Sequence, residues 1–290
     1  MMPPQLALAL LFGFLFQVVS CSNIRALYLF KDVMKSNTEA IKTSGFNSVV
    51  MFGVGILDNG DIMYYSNTPG SSDVLIASNG SYTGGSSLAD KVRSFKQGTT
   101  GIDRVEICMN SNHVRDLMEG PGSDESTPLY RNFAALKEAW SLDAVNNNDE
   151  SIYHASSTVA FARMLGNIGY KYTLVPYTNS NFWASIKREL DANAASPLVD
   201  RVYLQCYDGG ASNDPISWQN TLGMEVVPLL WVTNDSKPFY GTTVEQALAK
   251  FSGWLERGTL GGGGYWNDYD IEKMGLSYTG YGGVLETKFP

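Results

Sequence analysis

Short apolar runs alternate with amphipathic stretches from residue 24 onward. RALYLF (25–30) and NSVVMFGVGI (47–56) read as strands, with the helical pattern KDVMKSNTEAIKTSG between them. A glycine- and serine-rich stretch, ASNGSYTGGSS, reads as a loop leading to the helical LADKVRSFKQG. RVEICM (104–109) is the next strand, followed by the helical HVRDLMEG. TPLYRNFAALKEAW (127–140) predicts a helix with Pro128 in its first turn, and it runs into the strand SLDAVN.

The second half repeats the rhythm more cleanly. ASSTVAFARMLGNIG has serines at its start, Phe161, Leu165 and Ile168 on one face, and Gly169 as a stop. The strands YKYTLVPY, VDRVYLQCY, EVVPLLWV and GGGYW then alternate with the helices SNFWASIKRELDANA, DPISWQNTLG and TTVEQALAKFSGWLERG. The last of these helices carries a Thr-x-x-Glu capping pattern at Thr242 and Glu245. A short helical tail, YDIEKMG, follows the final strand. Eight strands alternating with helices predict an α/β protein, a (β/α)8 TIM barrel in a single domain over residues 24–290. A doubly wound open sheet is the alternative, but no glycine-rich nucleotide loop follows any strand.

Composition narrows the function. The 290 residues carry a formal net charge of -8 with no basic run, which argues against nucleic acid and anionic membranes as partners. The segment preceding the domain, MMPPQLALALLFGFLFQVVSCS, has an apolar run too short for a membrane span and suited to a signal peptide over residues 1–20. That implies secretion. VVSC (18–21) also matches a bacterial lipoprotein cleavage box, so anchoring at Cys21 remains a second possibility. Cys108 and Cys206 lie in apolar strands and read as buried thiols. Asn79 and Asn234 open glycosylation sequons. The two histidines, His113 and His154, have no metal-ligand spacing, and no Gly-x-Ser-x-Gly elbow is present. No metal or cofactor is expected, and the chain is taken as a monomer.

One stretch stands apart: SLDAVNNNDE, residues 141–150. Residues two apart on a strand share a face, so Asn146, Asn148 and Glu150 point the same way. In a barrel the C-terminal strand ends hold the active site. Polar side chains there need a network or a ligand to satisfy them. A plain polar turn is the competing reading, since asparagine and aspartate are good turn residues. Asp149 points away from the barrel and reads as a surface or capping residue.

The segment LDAVNNNDE resembles the fourth-strand signature of glycoside hydrolase family 18, the chitinases and endo-β-N-acetylglucosaminidases. Leu142, Asp143, Val145, Asn146, Asn148 and Glu150 match that pattern; Ala144 replaces a glycine and Asn147 an apolar residue. LQCYDGG is similar to the family's sixth-strand ending, with Gln205, Tyr207 and Asp208 in register. YWND is similar to its eighth, where the family places a tryptophan under the sugar; here that is Trp266. The resemblance covers residues 140–270. VEICMNSN lacks the Ser-x-Gly-Gly usual on the third strand.

The resemblance implies a substrate-assisted retaining mechanism on a GlcNAc-containing carbohydrate. The sugar's own 2-acetamido oxygen attacks the anomeric carbon, and one glutamate serves as acid and then base. The catalytic roles fall to Glu150 as acid/base, Asn148 as acetamide-orienting group and Tyr207 as hydroxyl donor. Trp266 would carry the sugar, with Asn146, Asp208 and Gln205 around it. Tyr177 and Trp231, at the ends of the fifth and seventh strands, are further candidates for the cleft or for the core. Asparagine at 148 keeps an acceptor and loses the charge of the usual aspartate. Two functions therefore stay open: a glycosidase, or a chitinase-like protein that binds carbohydrate without cleaving it. A barrel with a purely structural or interaction role is a third. Chitin, peptidoglycan and N-glycans are equally compatible.

Overall fold

The computed structural model describes residues 23–192 and 196–290. The proposed leader and Cys21 lie outside the described residues. Among the described residues twelve strands form in chain order: β1 Ile24–Leu29, β2 Ser48–Ile56, β3 Ile62–Tyr64, β4 Val74–Ser78, β5 Ser81–Tyr82, β6 Arg104–Met109, β7 Ala144–Asn147, β8 Lys171–Leu174, β9 Val199–Gln205, β10 Val227–Val232, β11 Gly241–Thr242 and β12 Gly262–Trp266. Eight of them (β1, β2, β6, β7, β8, β9, β10, β12) form one parallel ring, closed by β1 pairing with both β2 and β12, and β11 adds a short parallel pairing to β10. The sheet is therefore a closed (β/α)8 barrel.

Among the described residues ten α-helices accompany the strands: α1 Thr38–Lys42, α2 Ser86–Arg93, α3 Val114–Glu119, α4 Pro128–Trp140, α5 Ala155–Ile168, α6 Ser180–Asp191, α7 Pro215–Leu222, α8 Val244–Leu255, α9 Asp268–Lys273 and α10 Tyr278–Lys288. Helix α4 shows why the sequence folds this way. The Thr127 hydroxyl accepts from Tyr130 N at 3.3 Å, Pro128 occupies the first turn, and Leu129, Phe133, Leu136 and Trp140 form the buried stripe. The aromatic layer between barrel and helices includes Trp140, Trp183, Phe133, Phe161 and Tyr172, all fully buried. Cys108 and Cys206 are buried free thiols, as expected.

Three local expectations change. The segment 31–45 holds only a 3-10 turn (Val33–Lys35) and the five-residue α1, because Asp32 and Asn37 each cap a new start. The glycine- and serine-rich stretch before α2 holds the end of β4 and all of β5, which continue the antiparallel β2–β3 hairpin. Its tight turn is Asn79-Gly80, with φ of 51° and 75°, the left-handed pair that a two-residue hairpin turn favours. The capping box of α8 is set one residue later than the sequence pattern suggests: Thr243 N donates to Gln246 Oε1 at 2.9 Å, and Gln246 N to Thr243 Oγ1 at 3.3 Å. Thr242 is instead a buried strand residue. Helix α10, not predicted from the sequence, forms despite three glycines that lower its helix propensity. Gly282 is required there: a Cβ would stand 1.7 Å from Ser44 O, where α10 crosses the end of α1.

The end of β1 is tied to α9 by Asp268. Its fully buried carboxylate accepts from Phe30 N (2.7 Å), Lys31 N (3.0 Å) and Ser36 Oγ (3.1 Å). Those donors favour the anion, but burial outweighs them, with help from Glu272, and pushes the acid up to about 7. An unfolded aspartate titrates near about 3.9. Between those values the folded chain holds a proton that the unfolded chain has released, so this group's contribution to stability falls as pH rises through the window and levels off above it. Asp268→Asn removes the titration. The stability advantage of wild type over this variant, from urea melts, should shrink by up to about 4 kcal/mol between about pH 4 and pH 7. An advantage that grows over that range would contradict the account.

Candidate active site

The barrel interior is filled by a column of polar side chains in its lower half and by aromatics at its mouth. Glu106 on β6 is wholly buried. It accepts from Arg104 Nε (2.7 Å), Tyr203 OH (2.9 Å) and Thr173 Oγ1 (2.6 Å). Arg104 is held in turn by Asp200, and Arg201 Nη1 reaches Ser48 Oγ at 2.7 Å and Tyr203 OH at 3.2 Å. A buried carboxylate is tolerable only with this degree of pairing.

Direction then propagates upward from the charge. Thr173 donates to Glu106, so its oxygen is free to accept from Asn146 Nδ2 at 2.8 Å. That leaves Asn146 Oδ1 to accept from Tyr28 OH at 3.2 Å. Burial holds the Tyr28 phenol well above its ordinary range, so it stays a donor. Asn146 is 0% exposed and its amide is committed at both ends. The sequence placed it against the ligand; the structure places it beneath the cleft floor.

The next residues form an open cleft of about 410 Å³ at the C-terminal end of the barrel. Strand β7 stops at Asn147, so Asn148 and Glu150 stand on the loop that leaves it. Both line the cleft, and Glu150 is exposed. Asp149 is buried rather than on the surface. Its carboxylate accepts from Ser151 N (3.1 Å), Ile152 N (2.8 Å) and Tyr153 N (2.8 Å), which fixes the loop and aims Glu150. Asn147 packs outward, accepting from Ser111 Oγ at 3.0 Å.

Gln205, at the end of β9, sits behind this loop. Its Nε2 lies 3.2 Å from Asn148 Oδ1, 3.3 Å from Glu150 Oε1 and 3.2 Å from Val175 O. Tyr207 follows two residues on. Its hydroxyl has no protein partner among the described residues, and burial together with the nearby Glu150 keeps it protonated well above the usual tyrosine range. Asp208 has φ of 47° and forms an ion pair with Lys237. A Cβ on Gly210 would meet Gln205 O at 2.3 Å, so only glycine lets this loop fold back on β9.

Aromatic rings make the rest of the surface. Trp266 packs against Phe52 (centroids 4.7 Å), Phe30 (5.4 Å) and Tyr28 (5.8 Å). Trp231 donates its indole N–H to Asp270 Oδ2 at 2.8 Å and meets Tyr207 edge-on at 5.7 Å. Tyr177 completes that wall. A second compartment of about 370 Å³ adjoins the first and shares Phe52, Cys108, Asn148 and Glu150 with it. Its other side is Tyr65 and Asn67 of the hairpin with Asn110 and Asn112 after β6, none of which the sequence reading singled out. The Asn-Gly turns of the hairpin were the available signal.

The structure thus brings Asn148, Glu150, Tyr177, Gln205, Tyr207, Asp208, Trp231 and Trp266 to one cleft. Its carboxylates are Glu150 and Asp208, and Asp208 is tied to Lys237. Among the described residues no cluster of acids, histidines and cysteines is arranged to hold a metal. No described helix is long and apolar enough to cross a membrane.

No family model matches the chain, and no curated protein matches it by sequence. Solved structures do. A fungal endo-β-N-acetylglucosaminidase from glycosyl hydrolase family 18 aligns at a TM-score of 0.59 and 14% identity, over 91% of this chain and 98% of that one. A Group IV chitinase from Ostrinia furnacalis, in complex with allosamidin, aligns at 0.61 and 10% identity, over 91% and 98%. A class V chitinase from Nicotiana tobaccum aligns at 0.57 and 12% identity, over 92% and 100%. At these identities the likeness is one of fold, and it runs the length of the barrel.

Proposed function

From a barrel with the chitinase fold and a cleft built this way, we propose that the chain is a secreted glycoside hydrolase acting on a GlcNAc-containing polysaccharide or glycan. The observation that carries the reading is Glu150, among the described residues the one carboxylate of the cleft without an ion-pair partner, lining it together with a phenol, an amide and an indole. A two-carboxylate mechanism needs a second acid across the bond. Here Asp208 is bound to Lys237 and Asp149 to three backbone N–H groups. A substrate that supplies its own nucleophile needs only one acid.

The chemistry follows from the positions. A sugar ring lies on Trp266 with its 2-acetamido group toward Tyr207 and Asn148. Protonated Glu150 gives its proton to the glycosidic oxygen as the C1–O bond breaks. The acetamide oxygen forms a bond to C1, and the positive charge is shared over the resulting oxazolinium ring. Water then attacks C1, Glu150 takes its proton, and the ring reopens with the configuration at C1 retained. Cleft access from solvent admits the water. The apolar run before residue 20 supports export as part of the same reading.

A second reading, carbohydrate binding without turnover, is favoured by one observation: residue 148 is a neutral amide whose carbonyl oxygen already faces Gln205. Both readings place a sugar on Trp266.

Glu150→Gln separates them. On the true substrate the variant should lose about 10²–10⁴-fold in kcat while its affinity, by calorimetry, stays near that of wild type. Reducing-end release on chitin oligosaccharides, peptidoglycan and N-glycoproteins identifies that substrate; a variant within about threefold of wild type removes Glu150 from the mechanism. Trp266→Ala should weaken sugar binding by about 1–3 kcal/mol under either reading, since it removes a large apolar face. Unchanged affinity in a folded variant would assign Trp266 to packing with Tyr28 and Phe52 alone.

A further inference from the structure

Two acceptors fix the hydrogen bonds around residue 148. Val175 O is a backbone carbonyl and can only accept, and a carboxylate at Glu150 accepts on the same side. Gln205 must therefore turn its Nε2 toward them, at 3.2 and 3.3 Å. The same nitrogen also faces Asn148, 3.2 Å from its Oδ1, so its two hydrogens are shared among three oxygens. Reversing Asn148 would set two NH2 groups against each other. Reversing Gln205 as well would press its oxygen against a carbonyl and a carboxylate. The network thus assigns the Asn148 amide, as it must where hydrogens are not seen. Its Nδ2 has no protein partner among the described residues, and the residue lines both compartments of the cleft.

We infer that Asn148 presents its Nδ2–H2 group to the ligand and so reads an acceptor, the carbonyl oxygen of the ligand's N-acyl group, where an aspartate would read the N–H. The inference rests on the reading that the Trp266 compartment takes an N-acylated sugar. Tyr207 brings a second donor to the same cleft, because burial keeps its hydroxyl protonated and it has no protein partner among the described residues. A carbonyl oxygen has two lone pairs and accommodates both. An oxygen held by two donors is well bound and a weaker nucleophile. Asn148 therefore sets specificity for the acyl group at the expense of rate.

The test is calorimetry at pH 5 with chitotetraose and with its fully de-N-acetylated counterpart, whose ammonium groups only donate. Wild type, Asn148→Asp and Asn148→Ala are compared, each checked by thermal melting. The aspartate has nearly the shape of asparagine and replaces the donor with an acceptor. It should lose about tenfold or more in affinity for chitotetraose and bind the ammonium chain more tightly than wild type does. Asn148→Ala should lose affinity for chitotetraose without gaining any for the ammonium chain, which keeps the inference testable if the aspartate variant does not fold. Should Asn148→Asp still turn over, its kcat and KM should both rise. Undiminished affinity of either variant for chitotetraose would overturn the inference and leave the sugar site standing. No binding of chitotetraose by wild type would remove the sugar site itself, and the inference with it.

Discussion

Everything at the mouth of this barrel rests on one buried carboxylate. Glu106 sits inside the strands with no exposure, and Arg104, Tyr203 and Thr173 satisfy it at 2.6–2.9 Å. Taking a charge out of water costs several kcal/mol unless pairing returns it, so these partners are not interchangeable with apolar groups one at a time. The charge also orders what lies above it. Because Glu106 only accepts, Thr173 must donate to it, Asn146 must donate to Thr173, and Tyr28 must donate to Asn146. The ring of Tyr28 then stands under the cleft against Trp266. The floor of the site is thus set by hydrogen-bond direction as well as by packing.

The same logic recurs one layer higher with a different outcome. There the acceptors are Val175 O and the Glu150 carboxylate, Gln205 relays their demand, and Asn148 ends the chain with a donor facing outward. Asn146 and Asn148 differ in position by two residues and in role completely. The lower one is sealed by partners on both sides, and the upper one keeps its NH2 group for the cleft. Neutral amides at both positions suit a barrel whose buried charge is already supplied by Glu106. Asp149, between Asn148 and Glu150, fixes the loop through three backbone N–H groups.

Much of this was legible in the residues. The eight parallel strands follow from apolar runs of the right length, and helices such as α4 from capping, proline placement and a 3.6-residue stripe. Glu150 stood out in a polar run at a strand end, where a barrel gathers its site, and the resemblance to glycoside hydrolase family 18 implied Tyr207 and Trp266 beside it. What was hidden depends on long-range partners. Nothing local says that Asn146 meets Thr173 and Tyr28, 27 and 118 residues away in sequence. Nor does local pattern show that Gly282 faces Ser44, the close approach that requires glycine in α10. The hairpin that walls the second compartment is made of short, half-exposed strands, whose weak periodicity reads as loop.

The central claim is that a sugar lies on Trp266 with its scissile bond at Glu150. A crystal structure of the Glu150→Gln protein soaked with a GlcNAc oligosaccharide tests it most directly. The account predicts a pyranose ring stacked on the Trp266 indole and the glycosidic oxygen within hydrogen-bond reach of residue 150. It also predicts the acyl carbonyl between Tyr207 OH and Asn148 Nδ2, and the next sugar in the compartment of Tyr65, Asn67, Asn110 and Asn112. A sugar bound away from Trp266, or with its glycosidic oxygen out of reach of residue 150, would contradict it.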